Sequence, residues 1–391
     1  MAWKETVVLE ERMRFVTASL ESVDSMAVLC RRFGVSRRTG YKWIERYEQL
    51  GPAGLADRSR ASLAHPNQVP EALAERILTL RRLHPSWGPR KLRVVLERQD
   101  GEVCWPAPST IGDLLRRAGL SVPPKRLSHA TPSVDPLGEA VAANRIWCAD
   151  FKGHFRTGDG SRCDPLTVTD AYSRYVLRCT SVARMDYGHV RSLFEATFRR
   201  YGLPEAIRTD NGQPFASVGL AGLSRLSIWW VRLGIGLQRI DPGCPQQNGK
   251  HERMHRTLQT ETASPAAPTL RQQQRKFDAW VKEFNEVRPH EALAMATPAS
   301  YYQRSTRAYP ERLADLEYGS DYQVRKVDAA GYIRWKVAKV FVSNTLYGQE
   351  LGLRQVQERY YQVKFGPIEL GLLDEARGRM LSASQRRRLG L

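Results

Sequence analysis

Cysteine is scarce in this sequence. Its six cysteines (Cys30, Cys104, Cys148, Cys163, Cys179 and Cys244) are scattered over 391 residues, and no two form a Cys-x-x-Cys pair. That pattern excludes a disulfide scaffold and argues against a structural zinc site. No apolar run is long enough to span a bilayer, so no membrane partner is expected. Residues 1–11 have no apolar secretory core, and the expected location is the reducing cytoplasm. Acidic residues are also in deficit: 41 Asp and Glu face 60 Lys and Arg, a net charge of +19. The basic excess is spread through every segment rather than held in one tail. Contact with a polyanion along much of the chain would explain that, because each neutralised phosphate releases counterions.

The length predicts several domains. Residues 1–60 read as a helical DNA-binding unit with helices near 7–20, 25–33 and 37–50. Between the last two, Phe33-Gly34-Val35-Ser36 makes a turn, and Ser36 is a good N-cap. Together these features fit a helix-turn-helix whose last helix offers Arg37, Arg38, Thr39 and Lys42 to a major groove. Residues 61–122 repeat the theme with weaker signals, and Ser109, Thr110, Arg116 and Arg117 are the candidate contacts there. A linker bundle is the competing reading. Residues 123–143, rich in Pro, Ser and Ala, read as a linker. Residues 144–305 alternate strand and helix patterns in an α/β order. Strands are expected over 146–156, 166–169, 175–180, 206–209 and 236–240, helices over 187–201 and 218–233, and a long helix from about 246. Residues 321–376 return to short strands with Gly turns, the pattern of a small all-β barrel. It carries Arg325, Lys326, Arg334, Trp335, Lys336 and Lys339, a basic and aromatic mixture that suits a DNA backbone or a docking module.

Three acids stand out by position. Asp150 lies in Trp147-Cys148-Ala149-Asp150-Phe151-Lys152, inside an apolar strand where a carboxylate is costly unless paired or bound to metal. Asp210 follows a short strand in Arg208-Thr209-Asp210-Asn211-Gly212, and Glu252 lies on the predicted long helix. One carboxylate from each of three elements can converge on two divalent ions, and oxygen donors suit magnesium or manganese.

The strings W-x-x-D-F-K, R-T-D-N-G and P-Q-Q-N-G-K-H-E-R-M-H-R-T-L, in this order, resemble the DDE transposases of bacterial insertion sequences, which carry an integrase catalytic core of the retroviral-integrase superfamily. The resemblance covers residues 20–375. It implies an RNase H-like core with Asp150, Asp210 and Glu252 as catalytic metal ligands, and two Mg2+ or Mn2+ ions as cofactors. It also implies double-stranded DNA partners, namely terminal inverted repeats and a target, a homo-oligomeric DNA complex, and a nucleoid location. The expected class is therefore multidomain: all-α helix-turn-helix units, an α/β RNase H-like core and a small all-β C-terminal barrel. The spacing from Asp210 to Glu252 is somewhat longer than the family's usual one, and no zinc-binding N-terminal domain is present.

Lys250, His251, His255 and Arg256 flank Glu252 and are candidate contacts for the DNA end, with Arg256 one turn on, able to pair with Glu252 or to reach a phosphate. Asn248 and Gly249 can open the helix, and residues 241–247 resemble a mobile active-site loop. Asp170, beside Ser173 and Arg174, reads as a structural turn acid. His251-Glu252-Arg253-Met254-His255 also matches the His-Glu-x-x-His string of zinc proteases, but the helix is basic and no third ligand follows. A DNA-binding regulator with an inactive core is the remaining alternative. Such a core should have lost an acid, and all three are present.

Overall fold

A computed structural model describes residues 8–21, 23–57, 68–121, 140–241, 244–381 and 385–386. Residues 58–67, most of the predicted linker and most of the terminal arginine run fall outside the described residues. The chain divides into two compact units, Met1–Pro70 and Glu71–Leu391.

In the first unit, α1 (Val8–Leu20), α2 (Met26–Arg32) and α3 (Arg37–Leu50) surround Phe15, Val16, Leu29, Cys30, Trp43 and Leu55. Gly34 takes φ +66°, which lets the chain turn sharply between α2 and α3. Ser36 caps α3, its hydroxyl accepting from the Thr39 amide at 3.2 Å. The close approach of helices is made at Gly40, where an added Cβ would lie 2.8 Å from both Cys30 Sγ and Phe15 Cζ.

The second unit opens with α4 (Glu71–Leu83), α5 (Pro89–Gln99) and α6 (Pro108–Arg117), packed around Ile77, Trp87, Leu92, Leu96, Trp105 and Ile111. Pro89 and Pro108 each start a helix at a position where no amide donor is needed. This bundle is fastened to the α/β core by polar contacts. His84 Nδ1 lies 3.1 Å from Glu283, Ser86 meets Glu261, and Arg98 donates to the Met295 carbonyl at 2.7 Å.

The core strands are β1 (Ile146–Phe151), β2 (Phe155–Arg156), β3 (Arg162–Asp170), β4 (Val176–Val182), β5 (Ala206–Thr209) and β6 (Gly236–Arg239). Its helices are α7 (Tyr187–Tyr201), α8 (Arg225–Arg232), α9 (Gly249–Thr262), α10 (Leu270–Glu286) and α11 (Pro298–Tyr301). The main sheet runs β4-β3-β1-β5-β6. The first two pairings are antiparallel and the last two parallel, and β2 pairs with the start of β3. That is the RNase H-like arrangement.

Strand periodicity splits the two faces. Trp147 and Ala149 of β1 pack with Phe194 and Phe198 of α7 and with Trp229 and Trp230 of α8. The other face is closed by α9 and α10, where Cys163, Val176 and Cys179 meet Met254, Leu258, Phe277 and Trp280.

Several expected boundaries shift. The strand expected over 146–156 breaks after Phe151. The helix expected over 218–233 shortens to α8, because Ser224 and Ser227 form a capping box there. The long helix starts at Gly249, after a short 3-10 turn.

The C-terminal region is all-β. Its strands are β7 (Gln323–Lys326), β8 (Tyr332–Trp335), β9 (Ala338–Phe341), β10 (Glu350–Gln357), β11 (Tyr360–Phe365), β12 (Ile368–Asp374) and β13 (Arg379–Met380). Five of them form an antiparallel sheet, β13-β12-β11-β10-β7, and β8 and β9 form a separate hairpin. Among the described residues the ladder does not close into a full barrel. The core of this region includes Val342, Leu353 and Phe365 and continues onto Ile228 and Val231 of α8. Trp335 belongs to that core and does not present itself to a nucleic acid, whereas Lys336 is exposed and pairs with Glu375.

Candidate functional site

Parallel pairing of β1 with β5 matches Ile146 to Ala206, Trp147 to Ile207 and Cys148 to Arg208. Carrying that register on by two residues sets Asp150 beside Asp210, at the carboxyl ends of adjacent parallel strands. Asp210 is held by a local turn, its carboxylate accepting from the Gly212 amide at 3.1 Å. Asn211 ties the turn to the Ile240 carbonyl at 2.7 Å. Glu252 comes from the first turn of α9 and faces outward from the sheet.

The electrostatics connect the three. The Asp150 carboxyl is pushed up to about 7, first by burial, then by the negative charge of Asp210 and, more weakly, that of Glu252. Its side chain keeps 22% of its exposure, so the group is reachable. Among the described residues, no three His, Cys, Asp or Glu side chains are gathered tightly enough to hold a metal ion between them. The charges of Asp210 and Glu252 act on Asp150 without the three forming a closed ligand cage.

Behind Asp150 lies a polar cluster that sequence reasoning misplaced. His251 and His255 are 2% and 6% exposed and point into the sheet. Thr167 Oγ1 sits 2.7 Å from His251 Nε2 and 2.6 Å from His255 Nε2, and it donates to the Asp150 carbonyl at 3.1 Å. Thr169 Oγ1 lies 2.7 Å from His251 Nδ1. Thr167 has one proton, which the Asp150 carbonyl receives. Both imidazoles must then donate through Nε2–H, the neutral form. Burial lowers His251 to about 3 and, with His251 adjacent, His255 to about 2. These two residues are therefore removed from the DNA-contact set: they brace α9 against β3 beneath Asp150. The same geometry excludes the zinc-protease reading, because both Nε2 atoms are taken up by one threonine.

The remaining candidates fall as follows. Arg37, Arg38 and Lys42 are exposed on the first half of α3. Thr39 is half-buried, and its hydroxyl lies 2.9 Å from that of Ser36. Ser109, Arg116 and Arg117 are exposed and Thr110 is half-buried on α6, with Arg116 in contact with Asp113. Lys250 and Arg256 are exposed on α9, and among the described residues no ion pair joins Arg256 to Glu252. Asp170 is fully buried and accepts from the Asn144 and Ser173 amides and the Ser173 hydroxyl, the structural role expected of it.

Two supports were not anticipated. Arg208, 5% exposed on β5, donates to Gln238 and to the Gln247 carbonyl, each at 3.2 Å. Gln247 and Asp241 exchange two hydrogen bonds of 2.8 Å, which closes the loop that enters α9. The signal for Arg208 was a charged residue inside a short strand, the same signal that singled out Asp150. Asn248, at the start of α9, is buried with its Oδ1 unpartnered.

Comparison with known proteins accords with this arrangement. Integrase core domain families match residues 140–245 and 233–298. A helix-turn-helix domain matches residues 11–62, and a homeodomain-like domain matches residues 39–115. The chain is 28% identical over 261 residues to the insertion element IS407 uncharacterized 31.7 kDa protein of Burkholderia multivorans, covering 65% of this chain and 89% of that one. It is 28% identical over 258 residues to the insertion element IS476 uncharacterized 39.2 kDa protein of Xanthomonas euvesicatoria, with 63% and 70% covered. A solved structure of the HTLV-2 integrase catalytic core domain in complex with magnesium aligns at 15% identity and a TM-score of 0.34, covering 42% of this chain and 100% of that one. The chain thus carries an integrase core together with helix-turn-helix domains and is related to bacterial insertion-element proteins. No helix among the described residues is long and apolar enough to cross a membrane.

Proposed function

We propose that this chain, with its integrase core and helix-turn-helix domains, is a DNA transposase whose phosphoryl-transfer centre is Asp150, Asp210 and Glu252. The observation that carries the reading is the parallel register of β1 with β5, which sets Asp150 beside Asp210, and the charges of Asp210 and of Glu252 on α9 help to raise the Asp150 carboxyl. Three acids from three elements that repel one another create a negative potential that a cation relieves. The donor set also fits: oxygens only, with a buried, unpartnered Asn248 Oδ1 at the entry to the same helix. Asp150, Asp210 and Glu252 would hold two magnesium or manganese ions. When bound, those ions supply the positive charge that polarises the scissile phosphate and stabilises the leaving oxygen.

The chain's own residues do the rest. Thr167, His251 and His255 fix α9 against β3 and so fix the height of Glu252 above Asp150. Arg208 and the Asp241–Gln247 pair set where α9 begins. Arg256 and Lys250, exposed on α9, meet the phosphates of the DNA end. Arg37, Arg38 and Lys42 read the terminal inverted repeat, and the α4–α6 bundle, through Ser109, Thr110, Arg116 and Arg117, adds a second hold.

Two reactions follow at this centre. Water attacks the phosphorus at the element end, the P–O3′ bond breaks, and the 3′-oxygen leaves as a hydroxyl. That hydroxyl then attacks a target phosphodiester, forming one P–O bond and breaking another, so no external energy source is required. Two element ends must be held together, which makes the working form a homo-oligomer on DNA. The C-terminal sheet and hairpin act as one small barrel-like module.

The test is to incubate the full chain with a labelled duplex of its element's end, a plasmid target and magnesium. Labelled end joined to plasmid is expected. A protein that binds the end but neither cuts nor joins it is a regulator instead.

A further inference from the structure

On the α7/α8 face of the sheet, a cleft of about 490 Å3 lies where α7, α8 and the C-terminal β region meet. Its charged lining is entirely cationic: Arg191, Arg225 and Arg232, with no carboxylate among the lining residues. Arg191 lies over the Trp229 ring at 5.1 Å, and Arg225 lies over the Tyr187 ring at 4.5 Å. Both guanidinium groups are thus held by aromatic faces rather than by acids, and among the described residues neither forms an ion pair. Arg232 is engaged differently, donating to Gln349 and to the Ala314 carbonyl and lying 3.7 Å from the Asp315 carboxylate. Trp229 also lines the cleft and is 4% exposed, so the ring that carries Arg191 is itself fixed by packing.

Topology says which edge of the fold this cleft faces. Strand β4 is antiparallel to β3, and β3 is antiparallel to β1, so β4 ends at the sheet edge where β1 delivers Asp150. Helix α7 starts from that edge with Tyr187 and Arg191 in its first two turns. Helix α8 starts with Arg225 after the loop that leaves Asp210. The cleft therefore opens at the same edge as the acids, on the opposite face from α9.

We propose that this cleft is a phosphodiester-binding site that grips the backbone of the bound DNA away from the reacting bond. The proposal rests on the transposase reading for the identity of the polyanion. The chemistry fits a phosphate: two fork-shaped donors set by stacking, with no carboxylate among the lining residues. A contact of this kind positions the duplex and reads no sequence.

The experiment measures binding of the full chain to a fixed duplex over a range of salt concentrations. The proteins are wild type, Arg191→Ala/Arg225→Ala and Trp229→Phe. Removing one arginine–phosphate pairing should flatten the plot of log affinity against log salt by about 0.9. The double variant should therefore show a slope lower by about 2, with the same drop in affinity on unrelated sequences. Trp229→Phe, which replaces the indole beneath Arg191 by a smaller ring, should weaken binding several-fold. Wild-type binding with an unchanged slope in the double variant overturns the cleft proposal and leaves the transposase reading standing. No wild-type binding to any duplex overturns both. A poly-glutamate peptide that binds wild type but not the double variant, with DNA binding equal in the two, assigns the cleft to an acidic protein segment and overturns the proposal.

Discussion

Replacing Asp150 with Asn should make the protein more stable at neutral pH while abolishing its chemistry. The Asp150 carboxyl rises from an ordinary 3.8 to about 7 in the folded chain. At about 1.4 kcal/mol per tenfold, ionising it there costs about 4 kcal/mol more than in the unfolded chain. Because the folded value is raised, the folded state binds the extra proton between pH 4 and 7. Stability from this group therefore falls as pH rises through that window, and the full cost is present above 7. Asn carries no charge, so Asp150→Asn should gain about 4 kcal/mol over wild type at pH 8 and nothing at pH 3.5. For a unit of this size the unfolding entropy is ~0.7 kcal/mol/K, so the midpoint should rise by about 6 °C at pH 8. Calorimetry in chelator-treated buffer at the two pH values measures this directly. Adding magnesium at pH 8 should then stabilise wild type and leave Asp150→Asn unmoved, because a bound cation relieves the same repulsion. A variant no more stable than wild type at pH 8 would refute the electrostatic argument for a strained carboxylate.

Three other outcomes follow from the same geometry. Thr167→Val strands both buried imidazoles and should cost about 1–3 kcal/mol by denaturant unfolding. Because His251 and His255 have lowered values in the folded state, their contribution is complete above their unfolded value of about 6.5 and is lost as pH falls below it; wild type should weaken measurably between pH 6.5 and 4.5 in a melt series. Arg208→Ala should lower the joining rate by at least about tenfold while terminal-repeat binding, followed by gel shift, is unchanged. Gly40→Val puts a branched side chain where a Cβ already lies 2.8 Å from Cys30 and Phe15, an overpacking cost of about 1–3 kcal/mol; denaturation should show the destabilisation, together with weaker repeat binding.

Much of this was legible in the sequence because certain residues contradict their surroundings. A carboxylate in an apolar strand singled out Asp150, and a position just past a short strand singled out Asp210. The turn Phe33-Gly34-Val35-Ser36 announced the helix-turn-helix, since φ +66° at Gly34 and the Ser36 cap are both local requirements. What could not be read depended on tertiary packing. His251 and His255 stand in a basic, polar stretch, and nothing local reveals that one face of α9 is turned onto Thr167 and Thr169. The sequence pattern does not separate α10 from α9, and the helix over 218–233 was overdrawn because the Ser224–Ser227 cap competes with an apolar run. Arg208 carried the same mark as Asp150, a charge inside a short strand, but its partners, Gln238 and Gln247, lie 30 and 39 residues away and only the fold brings them to it.

The central claim is that three carboxylates from three elements act as one phosphoryl-transfer centre. Its most direct test is strand transfer by Asp150→Asn, Asp210→Asn and Glu252→Gln, each matched to wild type for binding of the element end. The account predicts that every single substitution abolishes joining with binding intact. Wild-type joining by Glu252→Gln would contradict it, since α9 would then contribute no acid to the centre.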